Sequence, residues 1–327
     1  MKAGFIQNVL TFFLGSLLMG SGCARSSNGT SQASDSTASS QPALRGRLVF
    51  HSYSCYTCND SKLYLYDFAS NSLVLLSNGW NIINPMNAHF APDGKSIVFM
   101  GMTTSSGWDI FRWRIGAASS PQNLTASFGA TRDEDPKYSI DGNRIVFKQN
   151  GRMKEMDTLG NITRTVTVTH TEASMPYYTK SGDMLLYSGN EVAGSTADIY
   201  SVSLTTNSIQ TLSAITGVEE YYPITRDDTS FLFTRWYSPT NHNDQVYLGF
   251  LNGRAFQRLS FNEADQNYSD AFPVDNRYVI LSSTRSGGKG AYDLYVADMI
   301  TGNKWSLSLY RSEINSSGND LGACYSK

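Results

Sequence analysis

One phrase, written into the chain several times, limits what it can fold into. Phe90 to Ile115 reads as an aromatic residue, a Pro-Asp-Gly turn, a β-branched apolar run, a polar loop, and a second run opened by Asp109-Ile110-Phe111. Asp-Gly between two alternating runs is a strong hairpin signal, because both residues tolerate the positive φ of a tight turn. The first half recurs as YSIDGNRIVF from Tyr138, YTKSGDMLLYS from Tyr178, ITRDDTSFLFTR from Ile224 and, compressed, FPVDNRYVILSS from Phe272. The second half returns at Ala197-Asp198-Ile199-Tyr200, Asp244-Gln245-Val246-Tyr247 and Tyr292-Asp293-Leu294-Tyr295, with a weaker copy at Met153-Lys154-Glu155-Met156-Asp157. Start positions 90, 138, 178 and 272 set a period of about 40 to 48 residues, which with several short strands per unit marks a propeller.

Second-strand segments at Leu48, Ile97, Ile145, Met184, Phe231 and Val279 count six blades. The first blade begins abruptly at Arg45-Gly46-Arg47-Leu48 without an innermost strand, while the tail Asn319–Ser326 resembles the first-strand stretch Asp133–Ser139 and lacks a partner. Joining the two removes open sheet edges. The expectation is an all-β, six-bladed propeller of four-stranded antiparallel blades, with the C-terminal strand completing the first blade.

Composition agrees. Charged residues make up 17% of the 327, aromatics 12%, with 27 glycines and a net charge of −2. Such a balance suits a turn-rich β domain and gives no basic face for nucleic acid.

Residues 1–23 carry Lys2, an apolar stretch from Phe5 to Met19, and then Gly20-Ser21-Gly22-Cys23. This is similar to a bacterial lipoprotein signal, which implies lipid on Cys23 and anchoring in the cell envelope, with Ala24 pointing to the outer membrane. Ordinary cleavage after Ala24, leaving a periplasmic protein, is the alternative. Residues 24–44 are Ser/Thr-rich and lack the apolar content to bury a core, so a disordered tether with a reach of roughly 25 Å is expected. The propeller is expected over 45–327, as a monomer.

The repeats resemble those of the TolB-type propeller family, best at Phe90-Ala91-Pro92-Asp93-Gly94 and Leu294-Tyr295-Val296-Ala297-Asp298. The family's namesake carries an α/β domain ahead of its propeller, where this chain has the tether. The resemblance therefore implies a fold and leaves the namesake's role in the Tol–Pal system with the namesake.

Cys55 and Cys58 share one loop and are expected to be disulfide-bonded, with Cys324 buried opposite Val49. The sequence has no Gly-x-Ser-x-Gly elbow, His-Glu-x-x-His, phosphate loop or EF-hand loop, so no catalytic, cofactor or metal residue is assigned. Four histidines, His51, His89, His170 and His242, are scattered over different repeats. Asp133, Glu172, Glu220, Asn267 and Asp320, with Asn84, stand just before the inner strands. They are the candidate binding ring at the channel mouth, or else caps that orient the turn entering each blade. Asp109, Asp198 and Asp293 recur with the blades and read as structural. Trp80, Trp108, Trp236, Tyr237 and Tyr292 are the loop aromatics available for a ligand. The leading expectation is a non-catalytic, envelope-anchored propeller that binds a protein or peptide through the channel mouth. The alternative is a carbohydrate-binding or carbohydrate-active propeller, by analogy with oligogalacturonate lyases.

Overall fold

The Phe90–Ile115 phrase folds as its residues dictate. Strand Ile83–Phe90 ends in a turn closed by the Gly94 N–H donating to the Ala91 carbonyl (2.8 Å), with the Lys95 N–H on the Asp93 carboxylate (2.9 Å). Gly94 sits at φ +65°, where a Cβ would also meet the Arg47 guanidinium. Strand Ser96–Met102 follows and is buried at every position, which is why it reads as a continuous apolar run. It pairs antiparallel with Asp109–Arg114.

The computed structural model describes residues 40–104 and 107–327. The export signal, Cys23 and the tether as far as residue 39 lie outside the described residues. The described strands form six four-stranded antiparallel sheets, numbered here as blades 1 to 6 in chain order. In blade 1 the C-terminal strand Asn319–Ser326 pairs antiparallel with Arg47–Tyr53, with Cys324 opposite Val49, and closes the ring. Residues from Gln41 onward belong to the compact unit. The Gln41 amide donates to the Leu309 carbonyl, the Tyr310 hydroxyl donates to the Pro42 carbonyl (2.6 Å), and Leu44 packs on the blade 1–blade 6 core.

The core lies between blades. Val98, Met100 and Ile110 of blade 2 pack on Ile145, Phe147 and Met156 of blade 3, and Leu48 and Phe50 of blade 1 on Ile280, Leu294 and Val296 of blade 6. Each fully buried aliphatic or aromatic side chain contributes about 1.5–3 kcal/mol, so the ring is held by facing sheets.

Candidate functional site: an axial funnel

Each innermost strand carries the same irregularity. In all six, two residues stand opposite one on the neighbouring strand: Asn87-Ala88 against Phe99, Asp135-Pro136 against Phe147, Met175-Pro176 against Tyr187, Tyr222-Pro223 against Phe233, Asp270-Ala271 against Leu281, and Gly322-Ala323 against Phe50. The opposed residues are all at most 1% exposed. The first residue of every pair is left-handed, with φ between +50° and +63°. Such a bulge bends the strand and re-aims a side chain. Five of the six are not glycine. A Tyr or Met held there carries strain of order 1 kcal/mol that the surrounding ring must hold in place.

These residues converge on the axis. The Asn87 amide donates to the Asp135 carboxylate (2.8 Å). Asp135, Asp270 and Tyr222, from blades 3, 6 and 5, lie within electrostatic reach of one another and of Tyr53 and Tyr56 from blade 1. Nearer the mouth, Asp244 faces Tyr221, Tyr292 and Asp270. Below, side chains of blades 2, 4 and 6 meet across the axis. His89 Nε2 lies 3.1 Å from the Tyr177 hydroxyl, and the Phe272 ring lies 6.4 Å from the imidazole. His89 Nδ1 accepts the Tyr138 N–H (3.2 Å), so Nε2 carries the proton and donates to Tyr177. The channel is thus a funnel with its floor at His89, Tyr177 and Phe272.

Its electrostatics follow from burial. Burial raises the Asp244 carboxyl to about 7 and Asp270 to about 6, and neighbouring carboxylates add to each rise. Burial likewise raises Asp135, with Glu134 adding to the rise and Lys137 opposing it. Burial pushes His89 well below its ordinary value, so it is neutral, and lowers Lys137, which Asp135 partly restores. Tyr221 and Tyr222 are held protonated by burial. The wall therefore presents phenol donors beside carboxylates that titrate near neutrality.

The five residues read from sequence as a mouth ring sit elsewhere. Asp133, Glu220 and Asp320 are two residues before the bulge, while Glu172 and Asn267 are three before it, so the two sets point to opposite sides of their strands. Asn84 sits in a second bulge of its own strand and is 3% exposed. Asp133, Glu220 and Asp320 are 0% exposed and face into the blades. Asp133 accepts from Gln149 (2.9 Å) and Thr131 (3.0 Å), Glu220 from Ser213 (2.8 Å), and Asp320 from the Ser316 N–H (2.7 Å). Glu172 pairs with Lys148 (2.6 Å), Asn267 accepts the Asp244 N–H (2.9 Å), and Asn84 accepts the Ser61 N–H (3.2 Å). All six hold local scaffold. The recurrent Asp109 accepts from Asn123 (2.8 Å) and Asp293 from the Gly290 N–H (3.2 Å).

Of the loop aromatics, Tyr292 faces the funnel. Trp80 stacks on Phe99 (5.1 Å), Trp108 is buried, Trp236 stacks on His242 (3.9 Å), and Tyr237 is exposed beneath Arg258 (5.2 Å). Cys55 and Cys58 are disulfide-bonded with Cα atoms 5.1 Å apart, in the loop that carries Tyr56 to the mouth. Cys324 is free and buried, its thiol pushed up to about 12 by burial. Among the described residues no three His, Cys, Asp or Glu side chains are grouped to hold a metal ion, and no helix is long and apolar enough to cross a membrane.

The funnel residues left one trace in the sequence. Pro136, Pro176 and Pro223 each stand two residues before the residue that opens the turn, Tyr138, Tyr178 and Thr225. Proline inside a strand marks a bulge.

No protein-family model matches the sequence, and no curated protein does. Solved structures match the fold. TolB from Acinetobacter baumannii aligns at 16% identity and a TM-score of 0.64, over 86% of this chain and 66% of its own. A putative TolB from Agrobacterium tumefaciens aligns at 15% and 0.59, over 81% and 89%. A puromycin-hydrolyzing peptidase from Mycobacterium tuberculosis aligns at 15% and 0.54, over 79% and 45%. The chain thus spans just under two thirds of the Acinetobacter protein. These similarities establish the six-bladed TolB-type propeller fold.

Proposed function

We propose that this TolB-type propeller is a non-catalytic, envelope-anchored binding protein whose funnel takes a segment of a partner protein. The observation that carries the reading is the wall itself. Tyr53, Tyr56, Tyr221, Tyr222 and Tyr292 offer rigid area with hydroxyls at the tip, the type of surface that dominates protein recognition. Asp135, Asp244 and Asp270 lie among them, so a segment that brings a cationic side chain or free backbone N–H groups is favoured over an acidic one. The floor at His89 and Tyr177 limits entry to a few residues. Lipid on Cys23, with residues 24–40 as tether, holds the propeller at the membrane. A sugar is the rival ligand, since the same tyrosines could stack on its rings.

The test is site-specific photocrosslinking in envelopes, using the full chain. The crosslinker is placed at Tyr56 or Tyr292 and, as control, at Leu159, which is 69% exposed on an outer turn of blade 3. One protein adduct from both mouth positions, lost with Asp244→Asn/Asp270→Asn and missing from Leu159, is expected. Equal adducts from all three positions, or none from the mouth, would sink the reading. Incorporation of labelled fatty acid that is lost in Cys23→Ser tests the anchor.

A further inference from the structure

Blade 2 carries a second concavity, on the face opposite the funnel mouth. The mouth lies at the Ile83–Met102 end of this sheet, whereas the concavity lies at the other end, where Ser96 pairs with Arg114 and Val98 with Arg112. Gln122 pairs with Arg112 from the outermost strand. Alternation along the strands therefore sets Ser96, Arg112, Arg114 and Gln122 on one face of the blade. The chain after Arg114 turns back, with the Ala117 N–H on the Arg114 carbonyl (3.0 Å), and the Trp113 indole N–H donates to the Ser119 carbonyl (2.9 Å). This fixes Ser119 and Ser120 as one wall, with Asp93 and Lys95 of the turn as the other. The cavity is about 520 Å³, within the range of small-molecule sites.

Three basic side chains line it, Lys95, Arg112 and Arg114, against one carboxylate, Asp93. Asp93 is engaged within its own turn, where it accepts the Lys95 backbone N–H (2.9 Å). Arg112 spends only Nε, which donates to the Tyr138 hydroxyl of blade 3 (3.1 Å) and so orients the rest of the guanidinium. Among the described residues, the Lys95 ammonium and the Arg114 guanidinium have no hydrogen-bond or ion-pair partner. A net-acidic chain, −2 overall, thus gathers an excess of two positive charges in one cavity and leaves most of their donors unused.

We propose that this cavity binds a small hydroxylated anion, a carboxylate- or phosphate-bearing molecule the size of one sugar unit. The guanidinium forks of Arg112 and Arg114 fit a carboxylate or phosphoryl group in bidentate fashion, and Lys95 adds a point charge. Ser119, Ser120 and Gln122 supply the donors and acceptors that a hydroxylated body needs. The site is independent of the funnel and of whatever the funnel binds.

The test is calorimetric titration of the full chain with glucose 6-phosphate, glucuronate, glucose and inorganic phosphate. Saturable binding of one or both charged sugars is expected, weakening several-fold between about 20 and about 200 mM salt. Preference between the two assigns the phosphoryl or carboxylate source. Lys95→Ala/Arg114→Ala, both exposed side chains, should weaken binding about tenfold or more at an unchanged melting temperature, while Asp244→Asn/Asp270→Asn should leave it intact. Glucose binding as well as the charged sugars, inorganic phosphate binding as tightly as glucose 6-phosphate, an indifferent double variant, or no binding of either charged sugar would each overturn the proposal.

Discussion

The Asn87 side-chain amide donates to the Asp135 carboxylate at 2.8 Å, joining blades 2 and 3 at the funnel wall, and both residues sit at φ +53° in the same bulge position. Asp135 is 8% exposed, so its partner matters. Asn87→Gly keeps the backbone relaxed and removes only the donor. It should cost about 1–2 kcal/mol in urea unfolding. Asn87→Ala should cost about 1 kcal/mol more, because alanine resists the left-handed region.

Two funnel carboxyls make stability depend on pH. Asp244, at about 7, and Asp270, at about 6, are raised by burial above the ordinary value of 3.8. The folded protein therefore holds these protons more tightly than the unfolded chain. Their contribution is fully present below about pH 4 and lost as pH rises through about 6 to 7, on the order of a few kcal/mol together. Urea midpoints measured from about pH 5 to about pH 8 should fall in the wild type. Asp244→Asn/Asp270→Asn should flatten that fall, and the same slope in both proteins would refute the assignment.

Glu155 anchors blade 3 to blade 4. Its side chain is 1% exposed and accepts from Arg144 (3.0 Å), Arg164 (3.0 Å) and the Tyr178 hydroxyl (2.6 Å). Glu155→Ala strands a buried phenol and two guanidiniums, but both arginines are about one third exposed and can turn to water. Their solvation discounts the loss to about 2–3 kcal/mol. Arg164→Ala alone should cost under about 1 kcal/mol.

Gly322 is the one bulge position where a side chain cannot enter. Its φ is +63°, and a Cβ would lie 2.5 Å from both Nδ1 and Cε1 of the buried His51. Gly322→Ala should cost about 2–4 kcal/mol, strain plus overpacking. Because the strand it belongs to closes the ring, the variant should also aggregate more readily on heating. Gly253→Ala is the control for strain alone, at φ +74° with open space around its Cβ, and should cost about 1 kcal/mol.

Much of the architecture was legible in the residues. The Asp-Gly turns and the apolar runs behind them repeat because every blade solves the same packing problem, so their count gave the number of blades and the unmatched tail gave the closure. Cys324 opposite Val49 came from the same alignment. The binding ring did not. Asp133 and Glu172 look equivalent when repeats are laid side by side. Alternation in a strand, however, sends neighbouring residues to opposite sides, and one position of offset turned Asp133, Glu220 and Asp320 into the blades. The residues that reach the axis, Asn87, Asp135, Tyr222 and Asp270, stand at bulges whose local sequences share only a small residue or proline behind them. By itself the sequence determined what recurs within a blade, since short-range turns and alternation are written locally. Tertiary structure alone decided what meets at the axis, such as His89 on Tyr177 from two blades away, because only closing the ring brings strands so distant in sequence within a hydrogen bond of one another.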